Sequence, residues 1–167
     1  FAQYTFPQYR CAPHLEKLAQ HLEALERREI TRLMVFMPPR HGKSELAAIR
    51  FPAWYLGHNP QHQVIGCSYA ESLAYANSWA VLQLMRDQTY QSLWSAKFAT
   101  EGATRWQLAD KDNNRASFIA AGVGGGITGE GADLLIIDDP VKNQEEADSQ
   151  VIRDKHWQWY TSVARTR

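Results

Sequence analysis

The sequence predicts an α/β chain, a mostly parallel sheet flanked by helices and formed as one domain over residues 1–167. Three observations carry this expectation. Short apolar runs rich in β-branched residues alternate with longer stretches of helical periodicity. One such run ends in Pro38-Pro39-Arg40-His41-Gly42-Lys43-Ser44, where a turn opens a helix. Another, Leu134–Ile137, delivers two carboxylates, Asp138 and Asp139, at its carboxyl end.

Composition bounds the class. At roughly 100–200 residues per domain, 167 residues point to one domain. An apolar content of 44% is too high for a disordered chain. Lys plus Arg and Asp plus Glu are both 18, so the balance gives no support to a basic nucleic-acid-binding module or an acidic tail. Two cysteines, Cys11 and Cys67, exclude a disulfide scaffold and a four-cysteine zinc site, and they read as small buried thiols in a reducing compartment. The six histidines show no HExxH or clustered spacing, so no structural zinc is expected. No apolar stretch approaches the ~20 residues of a membrane span. FAQYTFPQYR has neither the charged nor the apolar region of a secretory signal. A soluble, cytoplasmic protein is expected, with no membrane partner and a true start upstream of Phe1.

Taken in order, Leu15, Leu18, Leu22 and Leu25 predict an amphipathic helix over Pro13–Glu29. Thr31–Met37 reads as a strand stopped by the two prolines. A helix through Leu46, Ala47, Ile49 and Arg50 should kink or end at Pro52. Gln63–Ser68 is a second strand. Ser68 and Glu71 then have the spacing of a capping box for a helix to about Trp94, with Leu73, Ala76, Ala80 and Leu84 on one stripe. Thr104–Leu108 and Ser117–Ala121 should pair around the polar turn Asp110–Asn114. Leu134–Ile137 has the continuous apolar character of a strand buried on both faces. Asn143 and Glu146 cap a last helix carrying Val151, Ile152, Trp159 and Val163. The six tryptophans are read as packing residues.

The turn at 38–44 has the context of a P-loop. The nucleotide-binding turn would run over Pro39–Glu45, where backbone N–H groups at the turn and helix N-terminus would cradle phosphate oxygens, Lys43 would reach the β- and γ-phosphates, and the Ser44 hydroxyl would ligate Mg²⁺. The motif is degenerate, because the first glycine position of GxxxxGK[ST] falls on Met37, and Gly-Lys-Ser alone is also how a plain helix starts. The second carboxylate-bearing run sharpens the reading. Ligands of open α/β sheets bind at the carboxyl ends of the strands, where Asp138 suits the metal and Asp139 the attacking water. The bland alternative is a strand-end turn in which either aspartate caps the loop at Pro140.

MPPRHGKSE, RFPAWYLG at 50–57, AAGVGGGITGEGADLLIIDDPVKN at 120–143 and the helix with EEADS and WQWY resemble the ATPase domain of phage terminase large subunits, the motors that package double-stranded DNA into proheads. The likeness runs from about Arg32 to the end, and the glycine loop joined to LLIIDDPVK is its most specific part. It implies a P-loop NTPase of the additional-strand class that uses ATP and Mg²⁺. Lys43 and Ser44 become the Walker A pair, Asp138 the Walker B metal ligand and Asp139 the catalytic carboxylate. It also implies double-stranded DNA, a terminase small subunit and a portal protein as partners, and an oligomeric ring in the host cytoplasm. Arg40 is the candidate for a cis arginine at the transferring phosphoryl group, with a solvated turn residue as the alternative. His41 lends a backbone N–H, and Glu45 suits the helix dipole. Phe6-Pro7-Gln8-Tyr9-Arg10 is the segment placed to meet adenine. Gly122–Gly131 reads either as a mobile sensor ahead of Asp138 or as a tight connection.

The family's nuclease domain and coupling motif have no counterpart before Arg167, so a truncated or prophage-derived piece is expected. In the family's fold class the strand after the Walker B strand inserts between the Walker A and Walker B strands. Without it those two either pair, leave a gap or recruit a strand. The function expected is an ATP-hydrolysing packaging motor domain; the alternative is a non-catalytic nucleotide-binding remnant.

Overall fold

The computed structural model describes residues 1–109, 112 and 114–166. One five-stranded sheet contains β1 (Val64–Ser68), β2 (Phe98–Thr100), β3 (Arg105–Leu108), β4 (Phe118–Gly122) and β5 (Leu134–Asp138) in the order β2-β3-β4-β1-β5. Strands β4, β1 and β5 run parallel, whereas β3 and β2 add on antiparallel. The sheet is therefore mixed rather than mostly parallel. The hairpin expected from 104–121 forms and brings an antiparallel pair with it; residues 110, 111 and 113 of its polar turn lie outside the described residues.

The helices are α1 (Ala2–Thr5), α2 (Pro13–Glu26), α3 (Phe51–His58), α4 (Glu71–Arg86), α5 (Gln88–Gln91), α6 (Gln144–Asp148) and α7 (Gln150–Ser162). Pro13, whose missing N–H costs nothing there, starts α2, and Leu15, Leu18 and Leu22 are buried as their spacing requires. The helix ends before Glu29 because Arg28 turns left-handed (φ 58°) and the Glu29 N–H reaches back to the Ala24 carbonyl, a Schellman closure.

Helix α4 departs from expectation at both ends. Ser68 belongs to β1 and is buried, so the cap position falls to Ala70, without a side-chain bond. At the other end Asp87 turns extended and accepts from the Thr89 N–H at 2.8 Å, which starts α5 and stops α4 well before Trp94. The buried stripe is Ala74, Ser78, Val81, Leu82 and Met85, with Leu84, rather than one through Leu73, Ala76 and Ala80.

Alternation along the strands divides the core in two. Val64, Phe118, Ala120 and Ile136 face a cluster built from α2, α3 and α4, and Trp106 stacks on Phe118 at 5.5 Å. Ile65, Cys67, Ile119 and Ala121 face the other side, where Ile127 and Trp159 of α7 cover them. Full burial of one such large side chain contributes about 1.5–3 kcal/mol. Only Cys67 fits the expectation of buried thiols; Cys11 is exposed. Asn143 caps the short α6, accepting from the Glu146 N–H, while α7 follows as a separate helix with Val151 and Trp157 exposed.

The strand expected at Thr31–Met37 does not form, and the one at Leu134–Ile137 forms as β5 without the expected cover on both faces. Residues 32–38 carry no assigned element, with Leu33, Val35 and Met37 packed on the core and Met34 and Phe36 exposed, and they join no ladder among the described residues. Across from them β5 pairs only with β1, so its residues are half-buried at a sheet edge instead of covered on both faces. A groove of about 680 Å³, lined by Leu33, Val35, Met37 and β5, separates the two.

Candidate functional site

At the end of that segment the chain turns sharply. Arg40 (φ 62°) and Gly42 (φ 85°) are both left-handed, a conformation uncommon for a residue with a side chain. A Cβ on Gly42 would also stand 3.2 Å from both methyl carbons of Leu15, so glycine serves two needs at once. The turn is held by His41 Nδ1 against the Pro39 carbonyl at 2.8 Å, and by His14 Nε2 against the His41 carbonyl at 3.2 Å.

Lys43 and Ser44 open a helix, and the Leu46 N–H bonds the Gly42 carbonyl at 3.0 Å. From Glu45 to Arg50 the helix widens into a π-helical turn and then runs on as α3, so Pro52 neither ends nor breaks it. The π register sets residues five apart side by side. Arg50 Nε accordingly donates to Glu45 Oε1 at 2.7 Å. Glu45 is thereby a partner of Arg50. The same guanidinium donates to the Thr5 carbonyl and hydroxyl and lies 5.1 Å over the Phe6 ring. Tyr9 is half-buried, and burial, then the neighbouring Cys11 and Glu45, pushes its hydroxyl pKa up. The 6–10 segment thus lies against the helix that follows the turn, whereas Gln8 and Arg10 point into solvent.

The carboxyl end of β5 meets this helix. Lys43 Nζ stands 3.3 Å from Asp138 Oδ1 and donates a short hydrogen bond to Asp139 Oδ1. Burial pulls the ammonium pKa down, but the bond to Asp139 and the two carboxylate charges outweigh it, and Lys43 ends above its ordinary value. The aspartates differ in setting. The Asp138 side chain is 8% exposed and that of Asp139 53%. Asp139 is left-handed as well (φ 48°), held by its carbonyl accepting from the Tyr69 N–H at 3.1 Å. Strained backbone of this kind clusters at functional sites.

The fold therefore brings Lys43, Asp138 and Asp139 together, with Ser44 beside Lys43 on the same turn. Arg40 is exposed and makes no ion pair among the described residues. The glycine loop is pinned at its middle by fully buried Ile127, while Gly124 and Gly129 take positive φ. No cluster of three or more His, Cys, Asp or Glu able to hold a metal occurs among the described residues. Ser44 and Asp138 supply the hard oxygen donors that suit Mg²⁺, an ion commonly held by one or two carboxylates together with substrate phosphates. Two residues close to this site escaped sequence reasoning. Ser68 has the spacing of a helix cap, and Arg50 has the periodicity of an ordinary helical residue.

An α/β chain with a lysine at a helix start set against two carboxylates at a strand end is the class that fold and site define. The chain belongs to the family described as terminase large subunit, T4likevirus-type, N-terminal, whose model matches residues 34–166. No individual curated protein matches it. Membership suggests a role in DNA packaging. No helix among the described residues is long and apolar enough to cross a membrane.

Proposed function

We propose that this chain is a P-loop ATPase domain of a DNA-packaging terminase, hydrolysing Mg·ATP to drive translocation of double-stranded DNA. The observation that carries the reading is the meeting of Lys43 with Asp138 and Asp139 at the mouth of a glycine-containing turn. The N–H groups of residues 40–45 would face the β- and γ-phosphates, and Lys43 would exchange its carboxylate partners for phosphate oxygens. Ser44 Oγ and Asp138 would hold Mg²⁺, which when bound would supply Lewis-acid neutralisation of phosphate charge. Exposed Asp139 takes the proton of the attacking water as its oxygen bonds to the γ-phosphorus and the bond to the bridging oxygen breaks, releasing ADP. Arg40, without an ion pair among the described residues, would swing onto the transferring group.

DNA, a small subunit, a portal protein and a ring of copies are the partners this role requires, in the cytoplasm of a host cell. The test is ATP turnover by the chain with Mg²⁺ beside Lys43→Ala. Lys43-dependent turnover supports the motor reading. Nucleotide-induced stabilisation without turnover supports the non-catalytic alternative.

A further inference from the structure

Strands β1 and β5 place Ser68 level with Asp138 in parallel register. Both therefore project to the same face of the sheet, the one covered by α4 and the π-helical turn. Ser68 is 1% exposed, and its hydroxyl is sealed from solvent with no hydrogen-bond partner among the described residues. A buried hydroxyl left unpaired is costly, and such groups in native proteins are commonly satisfied by an internal water. Beside it lies a void of about 10 Å³ whose lining includes Ser68, Asp138 and Asn77 of α4. That volume is at the lower edge of the roughly 10–15 Å³ one water requires, and a water needs two to four polar neighbours. Here they are a hydroxyl, a carboxylate and an amide, which together offer both donors and acceptors. Asp138 gives Oδ1 to Lys43 and has no other side-chain partner among the described residues.

We infer that Ser68, Asp138 and Asn77 enclose one buried water that fixes the Asp138 carboxylate, making Ser68 a positioning residue for the cation ligand. The inference rests on the reading of Asp138 as that ligand. The hydroxyl accepts from or donates to the water, the water donates to Asp138, and the Asn77 amide closes the set from the helix. Partners that orient a metal-binding carboxylate in this way commonly change metal affinity 10–100-fold when removed.

The test titrates Mn²⁺ into the chain saturated with ADP and follows free Mn²⁺ by electron paramagnetic resonance. Ser68→Ala should raise the Mn²⁺ dissociation constant about tenfold, while ADP affinity in EDTA stays unchanged. An unchanged Mn²⁺ constant in Ser68→Ala, where Asp138→Asn abolishes Mn²⁺ binding, overturns the inference and leaves the site reading intact. Unchanged Mn²⁺ binding in Asp138→Asn overturns both. If Ser68→Ala does not fold, Asn77→Ala reads the same water from α4. A loss of similar size supports the inference and an unchanged constant overturns it.

Discussion

Lys43 Nζ lies 3.3 Å from Asp138 Oδ1, a contact between the first turn of one helix and the carboxyl end of a strand far along the chain. This ion pair ties the turn at 38–42 to an edge strand that has no ladder partner on that side. In the proposed mechanism the ammonium is held at the place where phosphate oxygens arrive. Lys43→Ala removes the charge and leaves two carboxylates facing the turn. Nucleotide binding should fall below detection, and turnover with it. Equilibrium binding of a fluorescent ATP analogue checks this, and wild-type affinity in the variant would remove the basis for a phosphate site.

Asp139 differs from Asp138 in exposure and backbone, and the two should separate in function. Asp139→Asn keeps the shape and a side chain tolerant of left-handed φ, but cannot take a proton. Binding of Mg·ATP should stay within a few-fold of wild type while kcat drops about 10²–10⁴-fold, the usual share of general-base catalysis. Loss of binding instead would make Asp139 a metal ligand and reverse the division of labour.

The parts of this site legible in the sequence are those fixed by local chemistry. Gly42-Lys43-Ser44 after two prolines reads as a turn opening a helix, and LLIIDD as a strand ending in carboxylates. What was not legible depends on neighbours. TRLMVFM has the alternation of a strand, and its residues 33, 35 and 37 do pack inward, but a strand exists only where a ladder partner is present. Pairing on one side only likewise leaves Leu134–Ile137 a half-buried edge strand among the described residues. Ser68 fits a capping box by spacing, yet β1 continues through it, so pairing with β4 and β5 outranks the cap. At Pro52 the chain widens to a π register instead of breaking, because the proline sits where the following α3 begins.

Gly42→Ala isolates the turn from the chemistry. The new methyl meets Leu15 at 3.2 Å, and a side chain is forced into left-handed φ. The strain should cost about 1–2 kcal/mol of stability, read as a lower midpoint in urea unfolding with an unchanged slope. ATP affinity should fall as well, because the N–H groups beyond Gly42 change direction. A variant as stable as wild type would show that the turn relaxes without strain.

The two thiols should behave oppositely. Cys11 is exposed and should react with a thiol reagent in the native chain, whereas Cys67 should react only after unfolding. Burial pushes the Cys67 thiol up to about 12 from 9.0. Below pH 9 it is protonated in both folded and unfolded states, so its share of stability is fully present. Between pH 9 and about 12 the unfolded chain releases the proton first, and that share is lost. Cys67→Ala removes the titration. Its stability deficit relative to wild type, measured by urea unfolding at each pH, should be constant up to pH 9 and shrink above it. A deficit that stays constant to pH 11 would mean that the Cys67 thiolate is as well solvated folded as unfolded, against its 2% exposure.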